Sequence, residues 1–136
     1  MRPSWDQIWM RFAESISQRS CDPRYQVGAV IVTDDNTQVL AVGYNGDQKG
    51  GSNSVESCEP GGSGFIHAEI NALIKCDYNN PKRKIMYVTL SPCKMCSKSI
   101  VNAGISEVVY LESYRCKEGI ELLLECGVRV RKFSNS

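Results

Sequence analysis

The sequence lacks several features that would assign the protein to a membrane, to secretion or to a highly charged partner. It has no run of about 18 apolar residues, which a transmembrane helix requires. Its first residues lack the apolar segment of a secretory signal peptide, so we expect a cytoplasmic protein. Its formal net charge is only +1, so no strong field favours nucleic acid. We therefore expect neither membrane association nor nucleic-acid binding.

The remaining composition is that of an ordinary globular protein, with 136 residues, 42% hydrophobic and 23% charged. We predict one domain, over residues 1–136. Helical spacing of apolar residues predicts helices over residues 5–19, 66–76, about 92–101 and 117–125. Apolar, β-branched runs predict strands over residues 27–32, 39–44, 84–90, 108–111 and 128–130. Because helices and strands alternate, we expect an α/β fold, namely a three-layer α/β/α architecture around a mixed, largely parallel five-stranded sheet.

The single histidine of the chain, His67, is followed two residues later by Glu69. Further along the chain, Pro92 precedes a pair of cysteines, Cys93 and Cys96. Imidazole and thiolate are the ligands that zinc prefers, and three protein ligands with an open fourth position are typical of a catalytic site. Both motifs begin predicted helices, whose positive ends favour thiolates. The sequence predicts one zinc ion per chain on His67, Cys93 and Cys96, with Glu69 as general acid and base.

Other interpretations of the cysteine pair stay open at this point. A closed structural zinc site would take a fourth ligand, such as Cys58, and an isolated Cys-x-x-Cys segment could be a redox pair. In a cytoplasmic protein the cysteines outside the pair are expected to be free thiols. These five are Cys21, Cys58, Cys76, Cys116 and Cys126.

The segments around the metal motif resemble deoxycytidylate (dCMP) deaminases of the cytidine deaminase superfamily. His67-Ala68-Glu69 with Pro92-Cys93 and Cys96 matches the H-x-E…P-C-x-x-C signature of zinc nucleobase deaminases. The Gly-Tyr-Asn-Gly segment and the later Tyr-Arg pair narrow the resemblance to dCMP deaminases. The resemblance extends over about residues 5–130, and the segments that carry it are residues 21–32, 43–46, 67–73, 87–93 and 113–115. The resemblance implies a cytidine deaminase-like fold and the hydrolytic deamination of dCMP to dUMP, which supplies dTMP synthesis.

The resemblance also implies which residues contact the substrate. The backbone around Ala68 and Ser91 would hold the base edge, and Asn45 would bind the sugar hydroxyl. Arg24, Tyr114 and Arg115 would hold the 5′-phosphate. A planar guanidinium suits a phosphate, although a surface ion pair is the alternative for each arginine. The complete set is Arg24, Asn45, Ala68, Ser91, Tyr114 and Arg115.

Members of this family are typically hexamers that dCTP with Mg²⁺ activates and dTTP inhibits. The implied effector site lies at the Gly-Tyr-Asn-Gly loop and the glycine-rich stretch after it, where backbone amides can approach a triphosphate. This chain departs from several relatives by having Asn53 and Ser54 where they have acidic residues. A flexible loop is the alternative interpretation. The implied effector residues are Gly43, Tyr44, Gly46, Gly50, Gly51 and Asn53.

Competing functions share the metal motif. A tRNA-adenosine deaminase would use the basic residues at 82–84 and 129–132 as an RNA-binding rim, but the near-neutral charge counts against it. Riboflavin-pathway and guanine deaminases are further options. A nucleotide-sensing or structural zinc protein without turnover would lack Glu69, which is present.

Overall fold

The computed structural model describes residues 1–57, 62–114 and 116–134, and its elements follow the predicted order. The four helices are α1 (Trp5–Ser17), α2 (Ala68–Lys75), α3 (Lys94–Asn102) and α4 (Glu118–Glu125). The five strands are β1 (Gly28–Thr33), β2 (Val39–Tyr44), β3 (Lys84–Leu90), β4 (Glu107–Glu112) and β5 (Arg129–Lys132).

The strands form one mixed sheet in the order β2-β1-β3-β4-β5. Strands β3, β4 and β5 are parallel to one another, as the alternation with helices predicts. Strand β1 is antiparallel to β2 and also to β3, pairing Ala29 with Val88. The sheet is therefore mixed, as predicted, with the hairpin of β1 and β2 at one side, and the antiparallel pairing of β1 with β3 is the feature that the alternation of helices and strands does not predict. All six residues of β1 are buried, because helices cover both of its faces.

Helices cover both faces of the sheet and complete the predicted three layers. On one face, α1 buries Trp9, Met10 and Ala13 against the sheet. On the other face, α3 and α4 contribute Ile100 and Leu123 to a second apolar cluster, together with residues of α2. The longest helix here, α1, has 13 residues. Within the described ranges, no helix is both long and apolar enough to cross a membrane.

Two helices begin two residues later than the sequence predicts, and the reason bears on the site. Helix α2 starts at Ala68 because His67 is its N-cap, with an extended backbone (φ −65°, ψ 151°). Helix α3 starts at Lys94 because Cys93 is its N-cap, also extended (φ −73°, ψ 173°). Two predicted zinc ligands therefore stand at the positive ends of helices.

Candidate active site

A cleft of about 520 Å³ lies at the sheet edge where β1 begins and where β2 and β3 end. Helices α2 and α3 both start beside it. Of the predicted site residues, Cys96 is buried next to the cleft, and Arg115 lies outside the described residues. The predicted residues that line the cleft are Arg24, Asn45, His67, Ala68, Glu69, Ser91, Cys93 and Tyr114.

The side chains of His67, Cys93 and Cys96 form a cluster whose ligand atoms all lie within 4.8 Å of one another. Nδ1 of His67 is 3.2 Å from Sγ of Cys96 and 3.6 Å from Sγ of Cys93. Tetrahedral zinc, with bonds of about 2.3 Å to sulfur and about 2.0 Å to nitrogen, requires N···S separations of about 3.5 Å. The donor set therefore fits zinc. No second group of three metal-binding side chains occurs in the part of the chain that the structure describes, and Cys58 lies outside that part.

The pKa values of the two clustered cysteines are shifted in opposite directions. A hydrogen bond from Cys96, supported by His67, lowers the pKa of Cys93 to about 4. The same hydrogen bond and burial raise the pKa of Cys96. The backbone N–H of Cys96 also donates to Sγ of Cys93, at 3.5 Å. A bound zinc ion would displace any thiol proton from both cysteines, because thiols coordinate zinc as thiolates. The other described cysteines are free thiols, as expected.

Glu69 is an acidic side chain held out of water. It lies in the first turn of α2 and is only 4% exposed. Burial raises the pKa of Glu69 to about 7, against the smaller lowering effects of its own backbone N–H, His67 and Cys96. A carboxyl group with a pKa near neutrality can both accept and return a proton. The structure thus places the predicted general acid and base beside the metal cluster.

The loop between α1 and β1 carries Arg24 and Tyr25 into the cleft, and Asp22 holds it in shape. Oδ1 of Asp22 accepts the backbone N–H of Arg24 at 2.8 Å and that of Tyr25 at 3.2 Å. Asp22 is 9% exposed and lines the cleft. Our sequence analysis missed this residue, although Asp followed by Pro is typical turn chemistry that could have identified it.

Asn45, the predicted sugar ligand, also holds this loop. Its Oδ1 accepts the N–H of Val27 at 2.8 Å, and its Nδ2 donates to the carbonyl of Tyr25 at 2.7 Å. The second contact of Nδ2, with Oδ2 of Asp22, is long at 3.4 Å. Asn45 therefore shapes the cleft while one of its amide hydrogens is only weakly bonded.

Ser91 and Ala68 present backbone groups near the metal cluster. The N–H of Ser91 donates to the carbonyl of Glu112 at 2.9 Å, and its Oγ accepts the N–H of Tyr114 at 2.6 Å. The carbonyl of Ser91 accepts no backbone N–H from the described residues. The N–H of Ala68 is in the first turn of α2, where backbone donors have no acceptor within the helix.

Part of the predicted effector segment is a closed surface loop. The N–H of Asn53 donates to Oδ2 of Asp47 at 3.0 Å, and the N–H of Asp47 approaches Oδ1 of Asn53 at 3.4 Å. Gly50 and Asn53 both have left-handed backbones, with φ of 84° and 58°. Gly51 donates to the carbonyl of Gln48 at 2.8 Å. These contacts give residues 47–53 a defined shape.

Two predicted effector glycines have other roles in the structure. A Cβ at Gly43 would lie 2.5 Å from the carbonyl oxygen of Ala68, so this glycine lets α2 pack closely on β2. The N–H and carbonyl of Gly46 both pair with Ile66, at 3.1 Å and 2.9 Å. Gly43 thus has a packing role and Gly46 a pairing role, and the effector contact at these two positions stays a prediction. The half-buried Tyr44 accepts the Asn71 amide at its carbonyl, at 2.9 Å.

An imidazole and two sulfurs at helix N-termini, with a buried carboxyl group beside them, match the pattern of zinc nucleobase deaminases. The sequence profile of the cytidine and deoxycytidylate deaminase zinc-binding region matches residues 3–112. The chain belongs to this family.

The relatives include dCMP deaminases from several sources. The deoxycytidylate deaminase of Saccharomyces cerevisiae is 38% identical over 98% of this chain, which spans 46% of the yeast protein's length. The human deoxycytidylate deaminase is 34% identical over 95% of this chain and 79% of its own length. The crystal structure of dCMP deaminase from the cyanophage S-TIM5, in complex with dCMP and dUMP, has a TM-score of 0.85 at 37% identity. It covers 98% of this chain and 99% of its own, which confirms the predicted fold.

Proposed function

We propose that the protein catalyses the hydrolytic deamination of dCMP to dUMP and ammonia. The observation that carries the proposal is the cluster of His67, Cys93 and Cys96 beside buried Glu69 in a cleft of about 520 Å³. The cleft supports the chemistry. The cyanophage relative, whose structure contains dCMP and dUMP, supports the choice of substrate.

His67, Cys93 and Cys96 would hold the zinc ion, which when bound supplies Lewis-acid activation of water near neutral pH. Two thiolates cancel the formal charge of Zn²⁺, and the positive ends of α2 and α3 offset this only in part. A neighbouring group must therefore accept a proton, and Glu69 is the buried carboxyl group at that position. It takes one proton from water and delivers it to N3 of the base, and it then moves the second proton of that water, from the oxygen now bound to C4, to the amine that leaves C4. The oxygen of water replaces the amino nitrogen, and ammonia is released.

The backbone groups of the cleft match the edge of cytosine. The N–H of Ala68 is a donor for the O2 carbonyl of the base, and the carbonyl of Ser91 is an acceptor for its amino group. In uracil, the amino group is replaced by a carbonyl, which cannot donate. The product therefore loses this hydrogen bond, which favours its release over that of the substrate.

The sugar and phosphate would bind along the loop that precedes β1. A hydroxyl group both donates and accepts, so it can bond to Nδ2 of Asn45 and to Oδ2 of Asp22, two cleft residues whose own hydrogen bond is long at 3.4 Å. Arg24 and Tyr114 line the same cleft and are proposed phosphate ligands. Arg115, the third, lies outside the described residues.

The regulation implied by the family belongs to the same proposal. Asp47 places a carboxylate, the kind of ligand that Mg²⁺ takes beside substrate phosphates, in the loop over residues 47–53. This carboxylate supports an effector, dCTP or dTTP, that binds together with Mg²⁺. A hexamer and a cytoplasmic location remain predictions.

The test is ammonia release from zinc-loaded protein supplied separately with dCMP, deoxycytidine, CMP and a tRNA anticodon stem. We expect turnover of dCMP alone, increased by dCTP with Mg²⁺ and decreased by dTTP. Turnover of the nucleoside or the RNA instead would refute the proposed substrate while keeping the zinc chemistry. Turnover of dCMP that neither triphosphate alters would refute the proposed regulation.

A further inference from the structure

Gly119 is a buried glycine near the start of α4, on the side of the helix that meets the beginning of α3. Its backbone is not in the left-handed region, so a turn conformation does not explain the glycine. Alanine would also be the better helix former at this position. The explanation must therefore lie in the space around its Cα.

No side chain fits at position 119. A Cβ there would lie 2.1 Å from the carbonyl oxygen of Pro92 and 2.8 Å from the carbonyl carbon of Cys93. It would also lie 2.8 Å from Oγ of Ser97. Real Cβ atoms essentially never approach other heavy atoms within 3.0 Å. The first two contacts are with backbone, which cannot rotate away as a flexible side chain can.

The backbone that contacts Gly119 carries a proposed zinc ligand. Cys93 is the N-cap of α3, and its Sγ lies 3.6 Å from Nδ1 of His67. Relieving an approach of 2.1 Å requires a displacement of about 1 Å. Ligand distances to zinc are held within about 0.2 Å. The displacement would fall partly on the peptide that joins Pro92 to Cys93, and a shift of Cys93 by only a quarter of it would exceed what the metal site tolerates.

We propose that Gly119 is a positioning residue for Cys93, an inference that rests on the proposed zinc site. Because position 119 has no side chain, the first turn of α4 can pack directly on the backbone of Pro92 and Cys93. This contact fixes the position at which α3 begins. The sulfur of Cys93 is thereby held at the separation from His67 that a tetrahedral ion requires. Helix α4 supplies no ligand but acts on the site through this contact.

The test compares Gly119→Ala with two control variants. Leu123→Ala removes a fully buried side chain from the same helix, so it destabilises the fold without changing the contact at position 119. Ser97→Ala removes the one buried side-chain oxygen that has no hydrogen-bond partner among the described residues, and it keeps the Pro92 contact. Zinc affinity is measured by competition with a chromophoric chelator, and ligand geometry by the absorption spectrum of the Co²⁺ form.

We expect Gly119→Ala to weaken zinc binding by roughly 10- to 100-fold and to alter the cobalt spectrum. Both controls should keep the wild-type affinity and spectrum, although Leu123→Ala should unfold at a lower temperature. Wild-type affinity in Gly119→Ala, or an equal loss in Leu123→Ala, would overturn the inference. Wild-type protein that binds no zinc would instead overturn the proposed function, and this inference with it.

A measurement on the wild-type protein covers the case in which Gly119→Ala does not fold. The amide of Glu121 donates to the carbonyl of Lys117 at 3.1 Å in the first turn of α4. If α4 is coupled to Cys93, zinc should slow hydrogen exchange at this amide as well as in α3. Protection that increases in α3 while the amide of Glu121 is unchanged would contradict the coupling.

Discussion

Replacing Glu69 by glutamine separates the proposed chemistry from metal binding. Glutamine has nearly the same size, so the buried position, which is 4% exposed in the wild type, should stay filled. The ligand atoms of His67, Cys93 and Cys96 are not altered by this change. Glutamine cannot accept and return a proton, so the variant should bind zinc and substrate but lose turnover.

Two magnitudes follow from the burial of this carboxyl group. A positioned general acid and base contributes about 10²- to 10⁴-fold, so kcat should fall by that factor. Burial also raises the pKa of Glu69 from 4.5 to about 7, which corresponds to about 3 kcal/mol against the ionised form. In protein stripped of metal, this penalty is absent below about pH 4.5 and complete above about pH 7. Glu69→Gln should therefore raise the free energy of unfolding at pH 8 and leave it nearly unchanged near pH 4.5.

The assay combines kcat for dCMP, zinc content by atomic absorption, and urea unfolding of chelator-treated protein at both pH values. Glu118→Gln is the matched control, since it makes the same chemical change at an exposed residue of α4. It should alter neither turnover nor the difference in stability between the two pH values. A Glu69→Gln variant that keeps full zinc content and more than about a tenth of the wild-type kcat would refute the assignment of general acid and base.

Three further outcomes are expected. Asp22→Ala removes the acceptor of two loop N–H groups, so KM for dCMP should rise about tenfold while zinc content is unchanged. An unchanged KM in steady-state assays would argue against the role of this loop. Asp6 accepts a hydrogen bond from Arg131, which lowers the pKa of Asp6, so its contribution is present above about pH 4 and is lost as the pH falls further. In urea unfolding at pH 6, the free energies of unfolding of wild type and Asp6→Asn should accordingly differ by about 0.5–1 kcal/mol, a small value because both partners are partly exposed. The two free energies should converge near pH 2. A difference that stays constant with pH would exclude this pair as the cause. Chelation should abolish turnover and added Zn²⁺ should restore it, whereas turnover that survives complete removal of zinc would contradict the metal centre.

Local patterns predicted the elements well, since each depends on residues close together in the chain. The strands over residues 39–44 and 84–90 have the predicted bounds, because runs of apolar and β-branched residues define both. The capping box of Ser4 and Gln7, a pattern of residues three apart in the chain, begins α1. The two helices at the metal site begin late because a cysteine and a histidine serve as N-caps, which ordinary capping preferences do not favour.

Contacts between distant segments could not be predicted from these patterns. The antiparallel pairing of β1 with β3 depends on how the hairpin of β1 and β2 packs beside β3. The residues of neither strand determine whether the pair is parallel or antiparallel. The hydrogen bonds of Asn45 to the loop before β1 join residues 18 and 20 positions apart. For Gly43, the sequence motif does not distinguish a glycine that packs against a helix from one that approaches a ligand. The metal ligands were predictable because imidazole and thiolate are chemically distinctive wherever the chain brings them together.

The structure divides catalysis and specificity between different kinds of element. The proposed ligands and Glu69 lie at the starts of α2 and α3, which pack on the sheet and are difficult to move. The proposed sugar and phosphate ligands lie on loops, where Asp22 and the side chain of Asn45 hold the backbone. Loops tolerate insertion and substitution better than packed helices do. A change of substrate in this fold should therefore be reached by altering these loops with the metal cluster intact, and variants of the loop residues should change KM more than they change zinc affinity.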